Sequence, residues 1–574
     1  MPTRLHLSRL GLVTAMTVGC GSQEYARPPV DDAVGHITVV RPAERLTLAP
    51  GVPVSIEWVS TVAGAATVDL LADADGDPET TSDQIPLVLG TAAATALTVF
   101  DWRTADVPLG RYRVLARMHD RKGTHVSMAP GVVEIVEPLL KVENLEEGER
   151  LRYPLALLTG TVPAETVKVS AGLRDGPMRA WPALGGRFKT LVPLVPGAND
   201  VLLETGGVLH RFSVHHEPMT NPRFVRFVYI LPADGDGHFD APAGEPNDVA
   251  SALRRIGTAA ELMQTFTAEA LDAQGLGRRT FRIARDRSGA PIVETFRSKL
   301  TTARARAMDD NVLWNYFHSE LSSLFDRDLT LDVVIMSMTH FDPAQQKVLA
   351  HTALGGNRLA LFGSGALHTW AESLDEVAAR FLDGRRIDTA VLLDDSNGRG
   401  THWANYATGV GATLHELGHC LSLPHPANGK GVMSREFDFF NRTFMVEEPE
   451  SRTSPRLAPV LAEYETGWDR SGAMRLGFHR WLEPNNVRYR VNGRPKVTET
   501  ATHVVLSSAA GVRHIAWSVN RDVAGHDEFR DAPPLLMKEM KSALRERFPG
   551  AATLGVSVID ADGNIAEREI QLGE

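Results

Sequence analysis

The stretch Gly411-Ala-Thr-Leu-His415-Glu416-Leu-Gly-His419-Cys-Leu-Ser-Leu-Pro-His425-Pro426 decides how this chain is read. His415 and His419 are four residues apart. On a helix that spacing puts both imidazoles on one face, one turn apart, close enough to share a metal ion. Glu416 is rotated by about 100° from His415 and borders the same cleft without competing as a ligand. This is the H-E-x-x-H arrangement, two zinc ligands and a general base. Pro424 disfavours helix at Leu423, so the chain must turn there. That turn can return His425 as a third protein ligand, which leaves one coordination position open, the mark of catalytic rather than structural zinc. Asp438 or a downstream glutamate is the next candidate for the third ligand. Cys420 lies about 140° from His415 around the helix, so it is expected to face the core as a small apolar residue.

Working outward, residues 219–477 alternate strand and helix patterns. Phe224–Ile230, Arg279–Ile283, Leu331–Met336 and Asn357–Phe362 read as strands. Helical periodicity runs from about Val249 to Gln274, from about 311 to 325, and from Leu374 to Leu382. Such alternation predicts a mixed α/β domain. Residues 36–137 and 138–218 show short alternating strands between turn-rich segments, the pattern of β-sandwich modules, and the first is similar to bacterial immunoglobulin-like modules. Residues 478–574 return to β, with a helix expected over Pro534 to Arg547 and a hairpin around Asp562-Gly563-Asn564. The fold class is therefore multidomain α+β, an α/β domain flanked by β modules.

Two acidic clusters stand out. Asp73-Ala-Asp75-Gly76-Asp77 has alternating carboxylates around a glycine, which suits either a Ca²⁺ loop or a solvated turn. Asp234, Asp236, His238 and Asp240 follow a strand, with the same two readings.

The N-terminus reads as an address. Arg4 and Arg9 precede an apolar run, Leu10 to Val18, and then Gly19-Cys20-Gly21-Ser22. This is the order of a secretory signal, residues 1–19, too short to span a bilayer. Met16-Thr-Val-Gly-Cys20 resembles the cleavage box of bacterial lipoproteins, which implies lipid on Cys20, with Thr17 at a position usually held by Leu. The alternative is a cleaved signal with an incidental cysteine. Residues 20–35 then serve as anchor and linker. The 574 residues contain only Cys20 and Cys420, so a disulfide framework is excluded. Lys+Arg 60 against Asp+Glu 71 gives a net charge of −11, which argues against a nucleic-acid partner.

His415 to His425 also resembles the metzincin zinc signature, H-E-x-x-H-x-x-G-x-x-H, with Ser422 in place of the glycine. Metzincins carry a methionine turn beneath the metal, and Gly431-Val-Met433-Ser fits it. A wider resemblance, over roughly residues 225–470, is to a zinc metallopeptidase family of fungi and bacteria. Its residues are Gly411 to Phe444, Leu262–Glu269 with Arg279–Phe281, and Ala353–Gly363. The resemblance implies a zincin-like domain that hydrolyses peptide bonds by a zinc-bound water, with Glu416 as general base and His415, His419 and His425 as Zn²⁺ ligands. Tyr406, His402 and Arg435 are the candidates for stabilising the oxyanion. The implied partner is a protein or peptide substrate, with membrane contact through the N-terminal lipid only. The implied location is a bacterial cell envelope, the outer membrane, or the exterior. The competing reading is a surface adhesion or glycan-binding lipoprotein with an inactive or subordinate zincin domain.

Overall fold

The computed structural model describes residues 34–62, 65–322, 329–489 and 493–573. The signal segment and Cys20 lie outside the described residues. The protein is strand-rich mixed α+β with several separate sheets. Its described residues divide into two compact units, one within 34–45, 54–102 and 111–133, the other within 46–53, 103–110 and 134–573.

In the smaller unit, Ile37–Arg41, Pro53–Ser60 and Thr98–Arg103 form one sheet. Gln84–Ala92, Thr67–Asp73, Gly110–Asp120 and Gly123–Met128 form an antiparallel run beside it in sequence. Alternation drives this: along Pro53–Ser60 every second residue is buried, Val54, Ile56 and Trp58 among them.

The larger unit begins with antiparallel strands, Leu155–Thr161, Lys168–Leu173, Arg179–Leu184 and Arg187–Pro193, closed by the hairpin Gly197–Thr205 and Val208–His216. Its centre is a five-stranded sheet in the order Val293–Arg297, Phe224–Leu231, Thr330–Met336, Leu359–Gly363, Ala353–Gly356. The first four strands run parallel and the last antiparallel. Parallel strands covered on both faces read as unbroken apolar runs, as Phe224–Leu231 does. Alternate residues sort to the two faces. Val225, Phe227, Tyr229, Val333, Ile335 and Phe362 pack with helices Val249–Asp272 and His402–Cys420. Val228, Ile230, Val334, Met336 and Leu361 pack with Leu313, Phe317 and Leu321 of helix Asp310–Ser322. The C-terminal part holds a four-stranded sheet, in the order Asp522–Glu528, Val512–Val519, Thr553–Asp560, Ile565–Gln571, and a three-stranded one.

Three expectations differ from what folds. Arg279–Ile283 makes only an isolated bridge from Ile283 to Val225, because the long helix takes its polar groups. Gln264 donates to the Phe281 carbonyl at 2.6 Å, and Thr280 donates to the Gln264 carbonyl at 2.7 Å. The sheet edge is instead Val293–Arg297, whose Val-Glu-Thr-Phe-Arg sequence lacks an apolar run. Leu536–Met540 is a strand paired to His503–Ser507, and helix starts only at Lys541. Asn357 and Arg358 are not strand residues. Both have positive φ, 39° and 72°, and form the two-residue turn between Ala353–Gly356 and Leu359–Gly363.

Candidate active site

Helix His402–Cys420 runs through the core with all but one residue buried. Such a helix is fixed by contacts on every side. Small residues make those contacts possible. A Cβ on Gly411 would lie 2.1 Å from the Phe437 carbonyl oxygen, and one on Gly418 would lie 2.3 Å from Met433 Sδ. Met433 therefore sits directly against the turn that carries His415 and His419, fully buried. Just past the end of the helix, Ser422 adopts φ 61°, the left-handed conformation that usually favours glycine. The Leu423 N–H reaches back to the Gly418 carbonyl at 3.0 Å, and the buried Arg475 donates to the Ser422 carbonyl. That reversal brings His425 back over the helix.

The three histidines converge through one nitrogen each. The Nε2 atoms of His415, His419 and His425 lie 3.1, 3.1 and 3.3 Å apart. For His415 and His419 the other nitrogen is committed. His415 Nδ1 donates to the Val432 carbonyl at 2.8 Å, and His419 Nδ1 to the Leu423 carbonyl at 2.9 Å. With the proton on Nδ1, Nε2 presents a lone pair. Two such lone pairs, with a third imidazole nitrogen equally close, suit a cation among them. Zinc–nitrogen bonds of about 2.0–2.1 Å in tetrahedral geometry put ligand nitrogens roughly 3.3 Å apart. The set fits zinc. Burial pushes His415 down to about 3 and also lowers His419, so both imidazoles are neutral and ready to ligate.

Glu416 is buried beside them, and burial pushes its carboxyl up to about 8, against a hydrogen bond from the Gly355 backbone. A cleft of ≈ 490 Å³ opens over this group, lined by His415, Glu416 and His425 together with His351, Asp395, Arg435 and Asp522. His351 Nε2 and Asp395 Oδ2 stand 3.9 Å apart within it. The antiparallel edge strand Ala353–Gly356 contributes Ala353 to the same wall. A larger cleft of ≈ 850 Å³ lies elsewhere, but its charges are matched, with Lys189 on Glu465 at 2.7 Å and Arg187 on Glu143 at 2.9 Å.

Most of the other candidates fall outside the cleft. Tyr406 is buried and stacked on Phe381 at 4.3 Å, and His402 faces Asp383 at 3.7 Å. Arg435 alone of the three oxyanion candidates lines the cleft, over the ring of Phe437. Asp438 is engaged with Thr408 at 2.9 Å and Arg435 at 3.1 Å, away from the histidines. Cys420 is buried, its Sγ 3.9 Å from the Gly356 carbonyl. Asp234, Asp236 and Asp240 go to separate partners, Thr302, His238 and His340. Asp73, Asp75 and Asp83 bring carboxylate oxygens within 4.8 Å of one another, while Asp77 caps the Glu79 N–H. His351, Asp395 and Asp522 were not singled out in the sequence. They lie in three separate segments, and nothing in their spacing joins them to the histidine motif.

The comparisons with known proteins bear on the same region. Residues 139–512 match the family model described as "Putative peptidase family". A Schizosaccharomyces pombe protein named "Putative zinc metalloproteinase" is 30% identical over 425 residues, covering 69% of this chain and 68% of its own. A Saccharomyces cerevisiae protein of the same description is 27% identical over 379 residues, covering 58% of this chain and 54% of its own. Among solved structures, OgpA of Akkermansia muciniphila is similar at 16% identity and a TM-score of 0.37, over 61% of this chain and 93% of that one. The family match spans the sheet, the histidine-bearing helix and Met433, and this chain belongs to the zinc metallopeptidase family that the two fungal proteins represent.

Proposed function

We propose that this chain is a zinc-dependent endopeptidase with a zincin-like catalytic domain, and that it cuts extended segments of protein substrates. The observation that carries this reading is the convergence of three histidine Nε2 atoms beside Glu416 in an open cleft. His415, His419 and His425 would hold the zinc, which when bound would supply a Lewis acid for the scissile carbonyl and for a water. Glu416, a buried carboxylate beside the three histidines, would accept the proton of the attacking water and pass it to the leaving amine. Arg435 and His351 are cleft-lining donors placed to meet charge developing on the carbonyl oxygen. The edge strand Ala353–Gly356 pairs with Leu359–Gly363 on one side, and its antiparallel direction suits an extended peptide added on the other.

The flanking regions fit immunoglobulin-like modules at residues 36–137 and 138–218 and a β-rich module at 478–574. The N-terminal pattern around Cys20 supports an exported lipoprotein. Loss of membrane association in a Cys20→Ser variant tests the anchor; unchanged association excludes it. The catalytic reading is tested by incubating purified protein with an unfolded protein substrate, with and without a chelator. Cleavage that stops with chelator and returns with zinc is expected. Cleavage indifferent to chelator would refute it.

A further inference from the structure

The third ligand is held differently from the other two. His415 and His419 each spend Nδ1 on a backbone carbonyl of their own neighbourhood. His425 has half its side chain exposed, and its Nδ1 faces the Asp522 carboxylate at 4.0 Å. Asp522 opens the C-terminal strand Asp522–Glu528, a hundred residues away in sequence. That strand is stitched to the His425 loop by backbone bonds on both sides of the histidine's peptide. The Val523 N–H donates to the His425 carbonyl at 2.8 Å, and the Ala427 N–H donates to the Val523 carbonyl at 2.9 Å. Asn520 and Arg521 before it both hold positive φ, 53° and 78°, the tight reversal of the hairpin from Val512–Val519. The hairpin thus delivers one carboxylate to one imidazole nitrogen. The match to the family model ends at residue 512, the first residue of this hairpin, so the turn and Asp522 lie beyond it.

We propose that the C-terminal hairpin completes the metal site, with Asp522 as the positioning residue that fixes the ring and tautomer of His425. A small rotation of two half-exposed side chains closes 4.0 Å to a hydrogen bond, and the carboxylate then holds the proton on Nδ1 and leaves Nε2 for zinc. A His425 without that partner would turn freely and ligate in only a fraction of its orientations. Partners of this kind typically carry 10–100-fold in metal affinity.

The inference rests on the zinc reading, and the experiment separates the two. Zinc affinity is measured on the full chain by competition with a chromophoric chelator, for wild type and for Asp522→Asn, Asp522→Ala, Asp522→Glu and Arg521→Gly. Wild type should bind one equivalent. Asp522→Asn and Asp522→Ala should weaken binding by about 10–100-fold, Asp522→Glu should restore part of it, and Arg521→Gly, which keeps the turn, should match wild type. Melting of the metal-free proteins should not change, since Asp522 is half exposed. Wild-type binding with unchanged affinity in Asp522→Asn and Asp522→Ala overturns the inference alone. A wild type that binds no zinc overturns the zinc reading and the inference with it. Should Asp522→Ala melt early, Asp522→Asn, which keeps the side chain's shape, decides.

Discussion

In the proposed mechanism Glu416 is the proton acceptor and not a metal ligand. Replacing it by Gln keeps the shape and the metal but removes the proton acceptor. Glu416→Gln should therefore bind zinc like wild type and lose about 10²–10⁴-fold in kcat. Parallel zinc titration and steady-state kinetics check both halves. Ser422 makes a second single-residue case. Its φ of 61° costs an L-residue roughly 1 kcal/mol that glycine does not incur. Ser422→Gly should raise stability by up to about that amount, offset in part by the freer unfolded chain. Zinc affinity should not change, because the turn is already made. A loss of stability on denaturant titration would show that the Ser422 side chain contributes more than its backbone costs.

At the scale of elements, the helix His402–Cys420 depends on what its glycines admit. Gly411 faces a backbone carbonyl and Gly418 a flexible thioether. Alanine at either would ordinarily favour helix by about 1 kcal/mol. Here both should destabilise. Gly418→Ala should cost about 1–3 kcal/mol as Met433 shifts, and Gly411→Ala more, because the Phe437 backbone cannot rotate away. Denaturant midpoints rank the two; a gain in stability from either would mean that the close approaches do not hold.

The same helix explains how much could be read in advance. The spacing of His415, Glu416 and His419 is a helix-face code, legible because one element carries all three. His425 was reachable through Pro424 and the forced turn. The buried strands Phe224–Leu231 and Thr330–Met336 announced themselves as apolar runs. Val293–Arg297 did not, because an edge strand needs no apolar run. His351, Asp395 and Asp522 were illegible for a different reason. They meet the histidines only through tertiary packing, with no fixed offset in sequence.

At the scale of the whole molecule, buried neutral histidines set the acid limit. His368 and His479 are buried, and burial pushes both down to about 3. The unfolded chain binds their protons near 6.5 and the folded chain does not. Their contribution is thus fully present above about pH 6.5 and is lost as pH falls toward 3, by about 1.4 kcal/mol per pH unit for each. Glu416, its carboxyl pushed up to about 8, works the other way in the metal-free protein, so melting temperature should fall slightly as pH rises from 7 to 8, and should fall below pH 6 where the histidines together outweigh that one carboxyl. His479→Gln should flatten that slope, and an unchanged slope would place the acid sensitivity elsewhere. Zinc works in the opposite direction. At a hundredfold excess over its dissociation constant it should add about 2.7 kcal/mol to folded-state stability, and chelation should remove it.

The measurement that reaches furthest pairs metal content with cleavage. Wild type, His415→Ala and Glu416→Gln are each assayed for bound zinc and for hydrolysis of an unfolded protein substrate. One zinc and cleavage in wild type, no zinc and no cleavage in His415→Ala, and one zinc without cleavage in Glu416→Gln are the predicted results. Equal cleavage by wild type and Glu416→Gln, or cleavage by the zinc-free His415→Ala protein, would contradict a zinc peptidase built on these residues.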